Sequence, residues 1–90
     1  MTKIAILGAG GNMGTRICRT LKGDHELDLL PVETAENGLK RLEQLGMKAV
    51  AMGEAVPQAD VVILALPDIL IGKIAKDVIP LMKSGAMAIC

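Results

Sequence analysis

The sequence predicts an α/β fold, a doubly wound parallel sheet, on three observations. The apolar run Ile4-Ala5-Ile6-Leu7 feeds the turn Gly8-Ala9-Gly10-Gly11-Asn12-Met13-Gly14, which opens directly into a segment of helical period. Apolar runs of strand length then alternate with helix-period segments along the chain. The stretch Val61-Val62-Ile63-Leu64-Ala65-Leu66 is apolar without alternation, as a strand covered on both faces must be.

Lys3 to Gly8 reads as the first, buried strand. From Asn12 to Lys22 the apolar residues Met13, Ile17 and Leu21 recur every fourth position and predict a helix with one apolar face, closed by Gly23. Leu27 to Glu33 is a second strand. Pro31 within it has no N–H to donate and is expected where that group has no partner. Glu36 to Leu45 repeats helical spacing through Leu39, Leu42 and Leu45, and Gly46 ends it before a short third strand, Lys48 to Met52. Gly53 to Ala59 reads as a loop or a single helical turn. Val61 to Leu66 is the fourth strand, stopped by Pro67. Asp68 is placed to cap a helix that continues through Ile71, Ile74, Ala75, Val78 and Leu81 towards Lys83. Ser84-Gly85 precedes a fifth strand, Ala86 to Cys90. Right-handed crossovers give the strand order 3-2-1-4-5, a Rossmann-type sheet incomplete at its C-terminal side.

Ninety residues form one small domain, which buries roughly 60 to 65% of its unfolded surface. Phe, Tyr and Trp are absent while 51% of residues are hydrophobic, so Leu, Ile, Val, Ala and Met must fill the core and grip any adenine ring. Ten basic residues balance ten acidic ones without clustering, which argues against nucleic acid or an anionic membrane surface as partner. No apolar run reaches the length of a membrane span, and Met1-Thr2-Lys3 leads straight into a strand, so the chain is read as cytoplasmic. Cys18 and Cys90 form no CxxC pattern and are expected to be structural thiols. His25 lies in a polar connection and receives no role.

The chemistry of the glycine turn is that of a dinucleotide pyrophosphate site. Glycines let the backbone come close to a diphosphate, and the N–H groups opening the following helix point at the anion. The strict GxGxxG fingerprint fails by one residue, because position 13 is Met and the last glycine is Gly14. Either Gly8-x-Gly10 with a longer turn or Gly8-x-x-Gly11-x-x-Gly14 restores it, and in both Gly14 permits close packing of helix on strand. Glu33 ends the next strand nineteen residues after Gly14. There a carboxylate accepts hydrogen bonds from both adenosine ribose hydroxyls and repels a 2′-phosphate, so NAD is expected in preference to NADP. A tight turn without a ligand, or an FAD site, are the alternatives. Leu66, Pro67 and Asp68 end the fourth strand at the carboxyl edge of the sheet and are expected to border the nicotinamide half of the cofactor. The cofactor-binding set is thus Gly8, Ala9, Gly10, Gly11, Asn12, Met13, Gly14, Glu33, Leu66, Pro67 and Asp68. No residue is assigned to catalysis or to a metal.

With this turn, with Val32-Glu33, with Ala59-Asp60 leading into the Val61 run, and with Pro67-Asp68-Ile69-Leu70-Ile71-Gly72-Lys73-Ile74, nearly the whole chain resembles the NAD-binding domain of 6-phosphogluconate-dehydrogenase-like oxidoreductases. Within them it is most similar to the D-apionate oxidoisomerase branch. The resemblance implies NAD-dependent oxidation of a hydroxyl on a sugar acid, coupled in that branch to a skeletal rearrangement. The family's substrate and proton-transfer groups would lie beyond Cys90. The turn is also similar to that of dihydrodipicolinate reductase, with Asn12 in place of an arginine, and a nucleotide-binding module without catalysis is a further alternative. Residues 1–90 are accordingly expected to be the cofactor domain of a longer, homodimeric enzyme, inactive alone, whose small-molecule substrate is held by a second domain.

Overall fold

The computed structural model describes residues 2–89, without the Asp68 side chain. The elements in chain order are β1 (Thr2–Leu7), α1 (Asn12–Leu21), β2 (Leu27–Val32), α2 (Glu36–Gln44), α3 (Met52–Gln58), β3 (Val61–Leu64), α4 (Asp68–Val78), a 3₁₀ turn (Ile79–Leu81) and β4 (Met87–Ile89). All strand pairs are parallel and the order is β2-β1-β3-β4.

β1 is the centre of the sheet, pairing with β2 from Thr2↔Leu27 to Leu7↔Val32 and with β3 from Ile4↔Val61 to Leu7↔Leu64. Strand side chains alternate between faces, and β1 divides accordingly. Ala5 and Leu7 pack with Leu30, Val32, Val62 and Leu64 against Ala55 and Val56 of α3 and Val78 of α4. Ile4 and Ile6 pack with Cys18 of α1 and Leu42 of α2. Helices therefore cover both faces, and the core is aliphatic throughout.

The predicted strand Lys48 to Met52 does not form, and Pro31 explains why. The Val50 N–H donates to the Pro31 carbonyl at 2.7 Å. Continuing a parallel ladder back towards Lys48 would take a bond from the N–H of residue 31 to the chain beside it, and proline has none. The segment therefore touches β2 through one bond, and the chain then enters α3 where a loop or one turn was expected. The order is otherwise the predicted one without its third strand.

Three further expectations are corrected. Met13 is 60% exposed, and the buried side of α1 is Gly14 and Cys18, because the helix leans on the turn through Gly14. Gly23 does not end α1 in the left-handed region, a role filled elsewhere by Gly46 at the end of α2 and by Gly85 before β4. The helix expected to run to Lys83 tightens into a 3₁₀ turn at Pro80, which cannot donate a helical bond. Cys18 is buried and free, and burial pushes its thiol up from the usual value. Cys90 lies outside the described residues.

At the N-terminal edge of the sheet Asp60 ties three strands together. Its Oδ2 accepts the Lys3 N–H at 2.8 Å, its Oδ1 pairs with the Lys83 ammonium, its N–H donates to the Lys3 carbonyl at 2.7 Å and its carbonyl accepts the Met87 N–H at 3.0 Å. The Lys3 N–H, and after it the Lys83 ammonium, hold the Asp60 carboxyl below its ordinary value.

Candidate functional site

The site is assembled at the carboxyl edge of the sheet, where β1 and β3 end and the strand order turns back. Gly8 leaves β1 with φ +76°, a conformation open to glycine. Its N–H and that of Ala9 donate to the Val32 carbonyl at 3.0 and 3.2 Å, and the Gly11 N–H returns to the Gly8 carbonyl at 2.9 Å, closing the turn. A Cβ at Gly8 would stand 2.5 Å from the Ala65 carbonyl oxygen and 2.8 Å from Leu66 Cδ2, so the chain leaving β3 presses directly on the turn.

Gly11 is the N-cap of α1, in extended conformation and without a side-chain cap, and the first turn of the helix carries no acidic residue. Among the described residues the N–H groups of Asn12, Met13 and Gly14 have no acceptor, the first helical bond being Thr15 N–H to the Gly11 carbonyl at 2.9 Å. An uncapped helix start with its donors free is suited to an anion. Gly14 brings this helix close, since a Cβ there would lie 2.7 Å from the Ala9 Cα. The close packing read from Gly14 is therefore present.

Glu33, at the end of β2, is half-buried and faces the turn. Its Oε1 accepts the Gly10 N–H at 2.9 Å, and its Oε2 accepts the N–H groups of Thr34 and Ala35 at 3.0 and 3.3 Å. A carboxylate has about four acceptor positions, so the three backbone donors leave about one on Oε1 for a ligand. The bidentate grip on two ribose hydroxyls expected from the sequence is thus already partly taken up by the protein's own backbone. Arg41 of α2 completes the frame, donating from Nη1 to the Gly10 carbonyl and to Asn12 Oδ1, both at 3.3 Å. Gly10 has its N–H on Glu33 and its C=O on Arg41.

Beside Gly8 and Glu33 opens a cavity of about 290 Å³ whose walls include Val32, Thr34, Val50, Met52, Leu66 and Ile74. Its apolar side chains are all non-aromatic, as the absence of Phe, Tyr and Trp requires. Leu66, expected beside the nicotinamide, shares this cavity with Glu33, while Pro67 is exposed and serves as the N-cap of α4. Asp68 therefore stands at the first helical position and not at the cap, and its side chain lies outside the described residues.

Two residues at the site were not singled out in the sequence. Arg41 is exposed on α2. Gly38 is buried inside α2 against both Gly10 and Glu33. A glycine in a helix interior is the signal that could have found it, because it weakens the helix by about 1 kcal/mol relative to alanine and so marks a close approach.

The sequence model of the acetohydroxy acid isomeroreductase NADPH-binding domain matches residues 1–90. A D-apionate oxidoisomerase from Cupriavidus necator is 46% identical over 87 residues, covering 94% of this chain and 31% of its own length. One from Rhizobium rhizogenes is 43% identical over 90 residues, covering 99% and 32%. The solved structure of a semialdehyde dehydrogenase NAD-binding protein from Cupriavidus necator, in complex with calcium and NAD, superposes with a TM-score of 0.88 at 44% identity, over 98% of this chain and 32% of that one. The chain thus spans about a third of the length of the curated relatives it matches.

Proposed function

This chain belongs to the family of acetohydroxy acid isomeroreductase NADPH-binding domains, and from that premise we propose that it is the NAD-binding domain of an oxidoreductase acting on a hydroxy acid. The observation that carries the reading is the Gly10 peptide held between Glu33 and Arg41, beside an uncapped helix start. The free N–H groups of Asn12, Met13 and Gly14 receive the pyrophosphate. Glu33 accepts a hydroxyl of the adenosine ribose, and the aliphatic cavity with Val50, Met52 and Leu66 takes the adenine. Pro67 and the start of α4 border the path towards the nicotinamide. When bound, the nicotinamide supplies hydride transfer, and this domain's part is to hold and orient it.

The names of the relatives point to a branched sugar acid of the D-apionate kind as substrate, held by the remainder of a longer, dimeric protein. NAD is favoured over NADP, although the family is described by NADPH, because a 2′-phosphate would be brought against the Glu33 carboxylate. Calorimetry of the full-length protein with each nucleotide tests this. NAD is expected to bind more tightly, and Glu33→Ala is expected to weaken it by about 1.5 to 3 kcal/mol as a lost charge-assisted hydrogen bond. Equal affinities or an NADP preference would overturn the specificity. Failure of the full-length protein to reduce NAD with any sugar acid or related hydroxy acid would favour a binding module instead.

A further inference from the structure

We infer that Gly38 of α2 is a positioning residue for ribose recognition: its bare Cα leaves the room in which the Glu33 carboxylate lies against the Gly10 N–H. The inference rests on the proposed role of Glu33 as the ribose acceptor. A Cβ at Gly38 would stand 2.6 Å from Glu33 Cγ and closer still to its carboxyl group, and the nearest atoms it would meet all belong to Glu33. The other helical glycines make no room for a side chain: Gly14 of α1 lies against the backbone of the turn, and added Cβ atoms at Gly53 of α3 and Gly72 of α4 meet nothing within 4 Å. Glycine is also among the poorest helix formers, and in α2 its missing side chain is put to use.

The same point of α2 touches the turn itself, since a Cβ at Gly10 would overlap the Gly38 backbone. Residues 10, 33 and 38 therefore fill one small volume in which Gly10 makes space for α2 and Gly38 for the carboxylate. With three backbone N–H groups fixing its oxygens, Glu33 is held in one orientation as part of the cavity wall. Little side-chain freedom is left to lose when a hydroxyl binds there. A methyl group at position 38 would push the flexible end of Glu33 away from the Gly10 N–H. The carboxylate would then be held through Oε2 alone, and its direction towards the ribose would be lost.

The test uses the full-length protein with Gly38→Ala, Glu33→Ala and the double variant, with calorimetry for NAD and NADP and a thermal melt for each. Gly38→Ala is expected to weaken NAD about tenfold, the loss of one charge-assisted hydrogen bond. NADP should change by less than about threefold, since it gains little from Glu33. In the Glu33→Ala background the same substitution is expected to change NAD affinity by less than about twofold, because residues acting through one contact are not additive. Should Gly38→Ala also lower the melting temperature, the double variant should regain it, the obstructing atoms being gone. Wild-type NAD affinity in Gly38→Ala, equal losses for NAD and NADP, or an undiminished effect without Glu33 would each overturn the inference while leaving NAD binding itself standing. A wild-type protein that bound neither nucleotide would overturn the proposed function and this inference together.

Discussion

The glycines of the turn look alike in sequence and do different things. Gly10 is buried with its Cα against the Gly38 backbone, whereas a Cβ at Gly11 would meet only the Gly8 carbonyl oxygen, at 3.3 Å. From sequence, Gly10→Val would be chosen to block a diphosphate while sparing the fold. The structure reverses that choice, because a branched side chain at position 10 must push α2 off the turn. Gly10→Val is expected to destabilise the domain by about 3 kcal/mol or more in chemical denaturation, at the upper end of overpacking effects. Gly11→Ala is expected to alter stability by less than about 1 kcal/mol, within the range of substitutions away from packed sites. It should still weaken NAD at least tenfold in calorimetry, since its methyl group enters the space a diphosphate needs. A Gly11→Ala protein that bound NAD normally would remove the pyrophosphate from the turn.

At the scale of elements, the turn with its flanking strand and helix was legible because a glycine pattern, an apolar run and a helical period are all local. Glu33 was legible for the same reason, by its place at the end of β2. What could not be read were the contacts that α2 makes on arrival, Gly38 on Glu33 and Arg41 on Gly10, which depend on how the helix packs. The missing strand at Lys48 to Met52 is a related case: its own residues suit a strand, and the obstacle is the absent N–H of Pro31 in the neighbouring one. At the opposite edge, Asp60 joins β1, β3 and β4 by its side chain and backbone. Its carboxyl is held below its ordinary value in the folded state, chiefly by the Lys3 N–H, so the stability it contributes is present above that ordinary value and is lost as pH falls through the lower folded one. Denaturation midpoints of the wild type are expected to drop on acidification below about pH 4, where a carboxylate of ordinary pKa takes up its proton. Asp60→Asn should be less stable at neutral pH and should lose less on acidification. Parallel pH profiles of the two proteins would dismiss Asp60 as a source of acid sensitivity.

Over the whole molecule, α4, the 3₁₀ turn and β4 each leave apolar side chains outside the core. Ile69 is 87% exposed on α4, Ile79 63% in the 3₁₀ turn and Met87 60% on β4, whose other residues are exposed as well. An apolar strand at the edge of a sheet invites further pairing. The 90-residue domain by itself is therefore expected to associate with rising concentration in sedimentation, and Met87→Lys to reduce that association. Sedimentation as a monomer throughout would show that this edge is not adhesive. The central place of β1 has a consequence of another kind. Ile4 pairs with Leu29 on one side and with Val61 on the other, so its second neighbour is synthesised 57 residues later. At roughly 5 to 20 residues per second that is a delay of about 3 to 11 s on the ribosome. Gly8 leans on Ala65 and Leu66, so the earliest-made part of the binding turn gains its second wall only after β3 has emerged. Nucleotide capture by the nascent chain would then report the completion of β3 and not the first appearance of the glycines.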